Sequence, residues 1–377
     1  MRYLYEPIRD VPPLDDQKYW LAFSLVPLIG TKRILRLKNH FGDLATAWKA
    51  PEQALIGAQL GEQAIDNIVA RRREIDPERE LARVQATQAH LLTLDDPEYP
   101  RILKEVDSPP ALLYVRGKLD PKDDLALSVV GTRKATKYGR DVAYSLSREL
   151  AQQTITIISG MALGVDSAAH NGALDAGGRT IAIFGCGIDL IYPRENRDLA
   201  QRIINNGAII SEFPIGTQPV ATNFPRRNRI LSGLALGVLV VEAPENSGAL
   251  ITASFAADQG REVFAVPSNI FNRMGRGANR LIQDGAKLVT DVNDILDELN
   301  IVHENVQTRV RTETVVPSNS AEMQLLEHLN ADPIHIDDLA RLCDLPIAQV
   351  TSTLTILELK GVAQMVGHMQ YSRVYRP

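Results

Sequence analysis

The sequence predicts an α/β protein whose centre is a doubly wound, mostly parallel sheet, with a helical segment before it and a winged-helix unit after it. Three patterns carry that expectation: helical apolar spacing up to residue 110, short β-rich runs alternating with amphipathic helices from Leu127, and three short helices followed by a hairpin after residue 319.

The helical segment shows its period in QKYWLAFSLVPLIG, in TKRILRLKNHFG and again from Leu60 to Leu91, and the proline-rich DDPEYP and DSPPALLYVRG close it. The runs that follow are LALSVVG, TITIISG, RTIAIFG, GAIISEF, GVLVVEA, REVFAVP and KLVTD, separated by loops and helical patterns such as ALITASFAADQG. Alternation of this kind builds βαβ units and a sheet covered on both faces. Residues 300–318, NIVHENVQTRVRTETVVPS, are polar and aperiodic, as a linker is. SAEMQLLEHLN then opens on a serine N-cap candidate, HIDDLARLCDLP gives a second helix, IAQVTSTLTILELKGVA a third ending at Gly361, and VAQMVGHMQYSRV a hairpin. The expected division is a helical domain over 1–110, the sheet domain over 111–299, a linker over 300–318 and a winged helix over 319–377.

Composition bounds the function. The 377 residues are 45% hydrophobic and 23% charged, an ordinary globular balance, and the net charge of −5 excludes nucleic-acid binding by overall charge. Any anion site must be local. Two cysteines, Cys186 and Cys343, give neither a disulfide framework nor metal-ligand spacing, and the N-terminal residues lack the apolar core of a secretory signal. The longest apolar stretch, Leu231 to Ala243, is short of the ~20 residues that span a bilayer. The expectation is a soluble protein of the cytoplasm.

Ligands of open α/β sheets sit beyond the carboxyl ends of the strands, so the loops there carry the functional signal. In VVGTRKATKYG (129–139), Gly131 permits a tight strand exit, Thr132 offers a hydroxyl and Arg133 a fork of donors, but the loop is not the GxGxxG dinucleotide fingerprint. In IISGMALGVDSAAH (157–170), Ser159, Gly160, Met161, Ala162 and Gly164 lead into a helix, a backbone that can present amides to a phosphate. Asp166 is expected to cap that helix and His170 to pack inside. Cys186, between two glycines, is expected to be buried and inert, while Tyr192, Pro193 and Arg194 offer a cleft rim. NFPRRNRILSG (223–233) reads as a further loop, with Arg226, Arg227 and Arg229 and no acid. In VVEAPENSGALITAS, Ser247 and Gly248 open a helix and Glu242 is structural. GRGANRLIQDGAK adds Arg276 and Arg280. Arginines spread over three loops, with Phe224, Tyr138 and Phe271 interspersed, suit a polyanion track with rings for base stacking. No GxxxxGK[ST], paired carboxylates, HExxH or CxxC is present, so no catalytic residue, metal or cofactor is expected and a binder is favoured.

SPPALLYVRG, VVGTRKAT, SGMALGVDSAAH, IAIFGCGIDLIYP, NFPRRNRILSGL, SGALITASFAADQGREVFAVP and GRGANRLIQDGA stand in the order, and nearly the wording, of the DNA-processing protein A (DprA, also Smf) family, which the chain resembles over roughly residues 95–295. The resemblance implies an extended Rossmann-like domain that binds single-stranded DNA without ATP, forms a homodimer, delivers incoming strands to the RecA recombinase in natural transformation and helps displace single-strand-binding protein. It places the family's G-[ST]-R loop on Gly131, Thr132 and Arg133, its SG-x-A-x-G-x-D loop on Ser159 to Asp166, and its basic FPxRNR stretch on Phe224 to Arg229, with Asn228 fixing the loop or bonding a phosphate oxygen. VPLIGTKRILRLKNHFG is similar to a helix-hairpin-helix, with Lys32 and Arg33 beside its glycine, but lacks the second glycine of a G-x-G turn; a protein-contact role like that of a sterile-alpha-motif unit stays open. The third winged-helix helix has only Lys360 near its end, which suits protein contact better than groove reading. Two other functions are weighed: a Rossmann-like nucleotide phosphoribohydrolase, whose PGGxGTxxE motif is absent, and a transcriptional regulator acting through the winged helix.

Overall fold

The computed structural model describes residues 14–301, 320–330, 332–360, 362–367 and 369–373. Almost all of the expected linker (its residues 302–318), and Gly361, lie outside the described residues. Residues 1–303 and 304–377 are two compact units.

In the first unit the seven expected apolar runs are all strands, joined by two more. β1 (His90–Thr93), β2 (Leu112–Gly117), β3 (Ala126–Val130), β4 (Thr156–Ser159), β5 (Thr180–Ile183), β6 (Gly207–Ser211), β7 (Gly237–Val240), β8 (Glu262–Ala265) and β9 (Lys287–Leu288) form one sheet in the order β1-β2-β6-β5-β4-β3-β7-β8-β9. Neighbours from β6 to β9 are parallel, whereas β1–β2 and β2–β6 are antiparallel. β1 corrects the helical assignment of the segment before 110: the run of helices breaks off at Ala86 and returns only as the single turn Arg101–Lys104, and the four residues of HLLT are too few to display a period. β1 pairs with β2 across the expected 110/111 boundary.

The central strands are buried along their whole length, and their successive side chains enter opposite layers. In β3, Leu127 and Val129 enter the layer closed by helices Lys137–Gln152 and Val165–Asp175, through Leu146, Leu150, Ala169 and Ala173. Ala126 and Val130 enter the opposite layer, closed by helices Asn223–Gly233 and Gly248–Asp258. Burying one Leu or Val side chain fully contributes ~1.5–3 kcal/mol, so this two-sided core dominates the stability of the sheet. Buried Ser128 satisfies its hydroxyl by donating to Leu231 O at 2.7 Å, which ties β3 to the 223–233 helix.

From β3 the chain winds through β4, β5 and β6, then crosses to β7 on the other side of β3 and continues to β8 and β9. Strand order thus reverses between β3 and β7, where such sheets form their ligand crevice. Before the sheet, six described helices from Leu14–Ser24 to Pro77–Ala86 enclose Trp20, Phe23, Ile34, Leu37 and Trp48, with the Phe23 and Trp48 rings edge to face at 4.9 Å.

The second unit has helices Ser320–His328, Ile336–Cys343 and Ile347–Leu359, and a sheet of β10 (Ile334–His335), β11 (Ala363–Gly367) and β12 (Gln370–Arg373) ordered β10-β12-β11, the winged-helix arrangement. Lys360 pairs at 2.7 Å with Glu322, a buried carboxylate. Among the described residues no helix is long and apolar enough to cross a membrane.

Candidate functional site

A cleft of about 570 Å³ opens at the reversal between β3 and β7. Its walls are the 130–134 loop, Ala162 and Asp166 after β4, the face of the 223–233 helix carrying Phe224, Arg227 and Asn228, and the 244–249 loop after β7. Glu242 holds the two strand exits together. Its carbonyl accepts Thr132 N–H at 2.7 Å, and its buried carboxylate accepts Thr136 N–H at 2.8 Å and Thr136 Oγ1–H at 2.9 Å, fixing the residue that caps the 137–152 helix. Glu242 is structural, as expected. A Cβ on Gly131 would lie 2.5 Å from Val165 Cγ2, so only glycine lets this loop pass so close to the 165–175 helix.

Arg133 and Lys134 stand exposed on the rim. The Arg133 guanidinium lies 4.9 Å from the centre of the Phe224 ring, and the Tyr192 ring is tilted 35° from that of Phe224 at 5.8 Å. Between them is a slot of about 80 Å³, walled by Arg133, Gly160, Tyr192, Phe224 and Arg227. Two rings and a guanidinium plane make a surface on which a flat heterocycle can stack.

The floor is a buried charge centre. Arg227 is only 5% exposed; it donates to Gly160 O at 2.9 Å, to Ile183 O and, through Nε, to Asn228 Oδ1 at 3.3 Å, clamping the exits of β4 and β5 to the helix. Buried Asp166 accepts Ala162 N–H at 3.2 Å. Burial pushes Asp166 up to about 6 against the attraction of Arg227, and pushes Arg227 down to about 10 against the attraction of Asp166. For both ions, loss of water outweighs mutual attraction. The cleft therefore presents Arg133, Lys134 and Arg227 against one carboxyl that burial disfavours as an anion.

Gly160 lies against this centre: a Cβ there would sit 2.5 Å from Arg227 Nη2 and 2.8 Å from Asp166 Oδ2. Gly160→Ala is expected to destabilise the first unit by about 1–3 kcal/mol through overpacking, read as a lower midpoint in denaturant. An unchanged midpoint would show that the charged pair moves aside freely.

Several expectations are corrected. NFPRRNRILSG is a helix, Asn223–Gly233, and not a loop. Its turn therefore splits the arginines: Arg227 points into the cleft floor, whereas Arg226 and Arg229, three residues apart, share another face and line a different groove. Arg227 is accordingly a clamp and not an exposed rim contact. Arg229 pairs with Glu212 and donates to Ser108 O at 2.8 Å. Asn228 fixes the wall, donating to Gly248 O at 3.2 Å.

The 159–166 loop spends donors internally: Ser159 Oγ–H donates to Val129 O at 2.6 Å, Ala162 N–H to Asp166, and the Met161 side chain is fully buried. The helix N-cap is Gly164, not Asp166, and Val165 N–H donates to Thr132 O at 3.3 Å. Ser247 caps its own helix through Ala249 N–H at 3.3 Å, with Gly248 exposed at the cleft. Arg276, Arg280 and Phe271 lie outside the cleft lining; Phe271 is 85% exposed elsewhere and Arg280 pairs with Asp284. Lys134 is a cleft cation that the sequence pattern did not single out, though it follows Arg133 directly. His170 is fully buried and bonded to Thr180 Oγ1 at 2.7 Å, and burial pushes it down to about 3, so it is a neutral packing residue. Buried Cys186 is pushed up to about 11 by burial and is inert as a nucleophile at neutral pH.

Residues 90–300 match the family described as DNA recombination-mediator protein A, and 311–368 match the DprA winged helix domain. The chain is 35% identical to Protein Smf of Synechocystis sp. over 95% of its own length and 99% of the relative's. It is 39% identical to the DNA processing protein DprA of Bacillus subtilis over 67% and 88% of the two chains. The solved DNA processing protein A of Streptococcus pneumoniae superposes with a TM-score of 0.65 at 34% identity, covering 74% of this chain and 96% of that one. That of Helicobacter pylori, reported with its single-stranded DNA binding mode, superposes at 0.50 with 31% identity, covering 57% and 97%.

Proposed function

The chain belongs to the DNA recombination-mediator protein A family, and on that premise we propose that it binds single-stranded DNA without sequence preference in the cleft between β3 and β7 and acts as a recombination mediator, not an enzyme. The observation that carries this is the juxtaposition of Arg133 and Lys134 with the Tyr192–Phe224 slot: cations beside stackable rings hold a phosphodiester chain whose bases are unpaired. The exposed rim side chains and the amide of Gly248 meet phosphates, while Arg227 adds positive potential from the floor. The solved Helicobacter pylori relative, reported with its single-stranded DNA binding mode, supports the ligand.

The fuller role is RecA loading onto incoming DNA in natural transformation, with displacement of single-strand-binding protein, carried out by a homodimer in the cytoplasm. Deleting residues 319–377 and assaying RecA filament formation tests whether the winged helix takes part.

The binding test compares single-stranded and duplex oligonucleotides of equal length by gel shift. Preferential retardation of the single strand is expected, weakening with salt by about 0.7 logarithmic units per decade for each phosphate contact. Equal or stronger retardation of the duplex would overturn the proposal and favour the regulator. The competing phosphoribohydrolase lacks support: counted from Pro244, the closing acid of its PGGxGTxxE motif falls on Thr252, and nearby Glu242 is buried and committed to Thr136. Base release from a nucleoside monophosphate would reinstate it.

A further inference from the structure

Behind the 223–233 helix lies a second groove, of about 770 Å³, between the helical segment and the sheet. Its basic residues are Lys32, Arg33 and Arg36 from the helix Thr31–Phe41, and Arg226 and Arg229 from the 223–233 helix; its acids are Asp107 and Glu212. Glu212 is committed to Arg229. Arg33 and Arg36 donate to the carbonyls of Leu60 at 3.1 Å and Gln59 at 3.2 Å, acceptors that satisfy hydrogen bonds without cancelling charge. Lys32 and Arg226 are exposed, and Arg226 lies over the Phe213 ring at 5.5 Å. Once the Arg229–Glu212 pair is set aside, four cations face one acid, in a chain whose net charge is −5. Such local concentration of one sign opposes folding by self-repulsion and suits an anionic ligand.

The groove also adjoins the first cleft. Phe224, Arg227 and Asn228 on one face of the 223–233 helix line the cleft, and Arg226 and Arg229 on another face line the groove. One helix, about 10 Å across with its side chains, is the shared wall, a width that a few nucleotides span. At the far side of the groove the 31–41 helix begins after Gly30, which has no side chain to cap its amides. These amides add to the positive end of the groove.

We propose that the groove is a second phosphodiester site, which takes the same single strand after it leaves the β3–β7 cleft. The helical segment is then part of the DNA track and not only a protein-contact module. This rests on the proposed cleft function, and the two can fail separately.

The experiment measures anisotropy of labelled oligothymidylates of about six and about fifteen nucleotides, lengths that bracket typical single-strand sites, on the full chain and on Lys32→Ala/Arg36→Ala. For the natural protein the longer strand should bind roughly tenfold more tightly. The double variant should keep its affinity for the short strand, lose most of the gain with length, and show a salt slope smaller by about 1.4 for two lost contacts. Lys32→Ala alone, at an exposed side chain, should show about half the change in slope, and it separates lost contacts from misfolding. Undiminished binding of the longer strand by both variants overturns the second site while leaving the cleft intact. Failure of the natural protein to bind even the short strand overturns the cleft function, and the groove proposal with it.

Discussion

Arg227→Ala is expected to lower the melting temperature of the first compact unit by roughly 10 °C, because it removes the guanidinium bonds to Gly160 O and Ile183 O and the nearby charge that favours ionised Asp166, together a loss of about 3–5 kcal/mol. Arg227 bonds the carbonyls at the ends of β4 and β5, and Asp166 near it is buried. The direction with pH follows from Asp166. Burial raises its pKa to about 6 from an ordinary 3.8, and Arg227 is the strongest influence holding it down. A carboxyl raised in the native state contributes stability that is fully present below its unfolded value and is lost as pH rises through its folded value. In the natural protein that loss ends near pH 6. Without Arg227 the folded value climbs further, the loss continues above pH 6, and the melting deficit should be larger at pH 8 than at pH 5. Adding Asp166→Asn should recover part of it. An unchanged melting temperature, measured by circular dichroism, would refute the buried clamp; equal deficits at both pH values would assign the loss to the hydrogen bonds alone.

That role could not be taken from composition, because arginine is ordinarily a surface residue. What the sequence did contain is helical spacing: Phe224, Arg227, Asn228 and Leu231 recur at i, i+3, i+4 and i+7, the inward face of the 223–233 helix. Two polar members hid that face. The parallel strands were legible because each is an apolar run set off by a glycine or helix pattern, whereas β1 and β2 were not, since a short antiparallel edge inside a helical context has no period of its own. Likewise the 131–133 loop declared itself through its strand exit, but the acid that answers Arg229 is Glu212, and nothing in their separation announces the pair. Loop position was readable; inward or outward orientation required the packing.

Arg133→Ala is expected to weaken single-strand binding roughly 10–100-fold, the equivalent of about 1.5–3 kcal/mol for a hydrogen bond to a charged group, while leaving the melting temperature unchanged. The contrast with Arg227 follows from exposure: Arg133 stands at the cleft mouth with its guanidinium over Phe224, so its removal opens no cavity and strands no buried carboxylate. Lysine at 133 separates charge from shape. It keeps the phosphate attraction, so the salt slope should stay near the natural value, where alanine lowers it by about 0.7; it lacks the planar fork that lies over the ring, so affinity should recover only in part. Fluorescence anisotropy across a salt series measures both quantities on the same protein. If Arg133→Ala binds the single strand as tightly as the natural chain, phosphates are not held at the β3 exit, and the seat must be sought among the cations on the other face of the 223–233 helix.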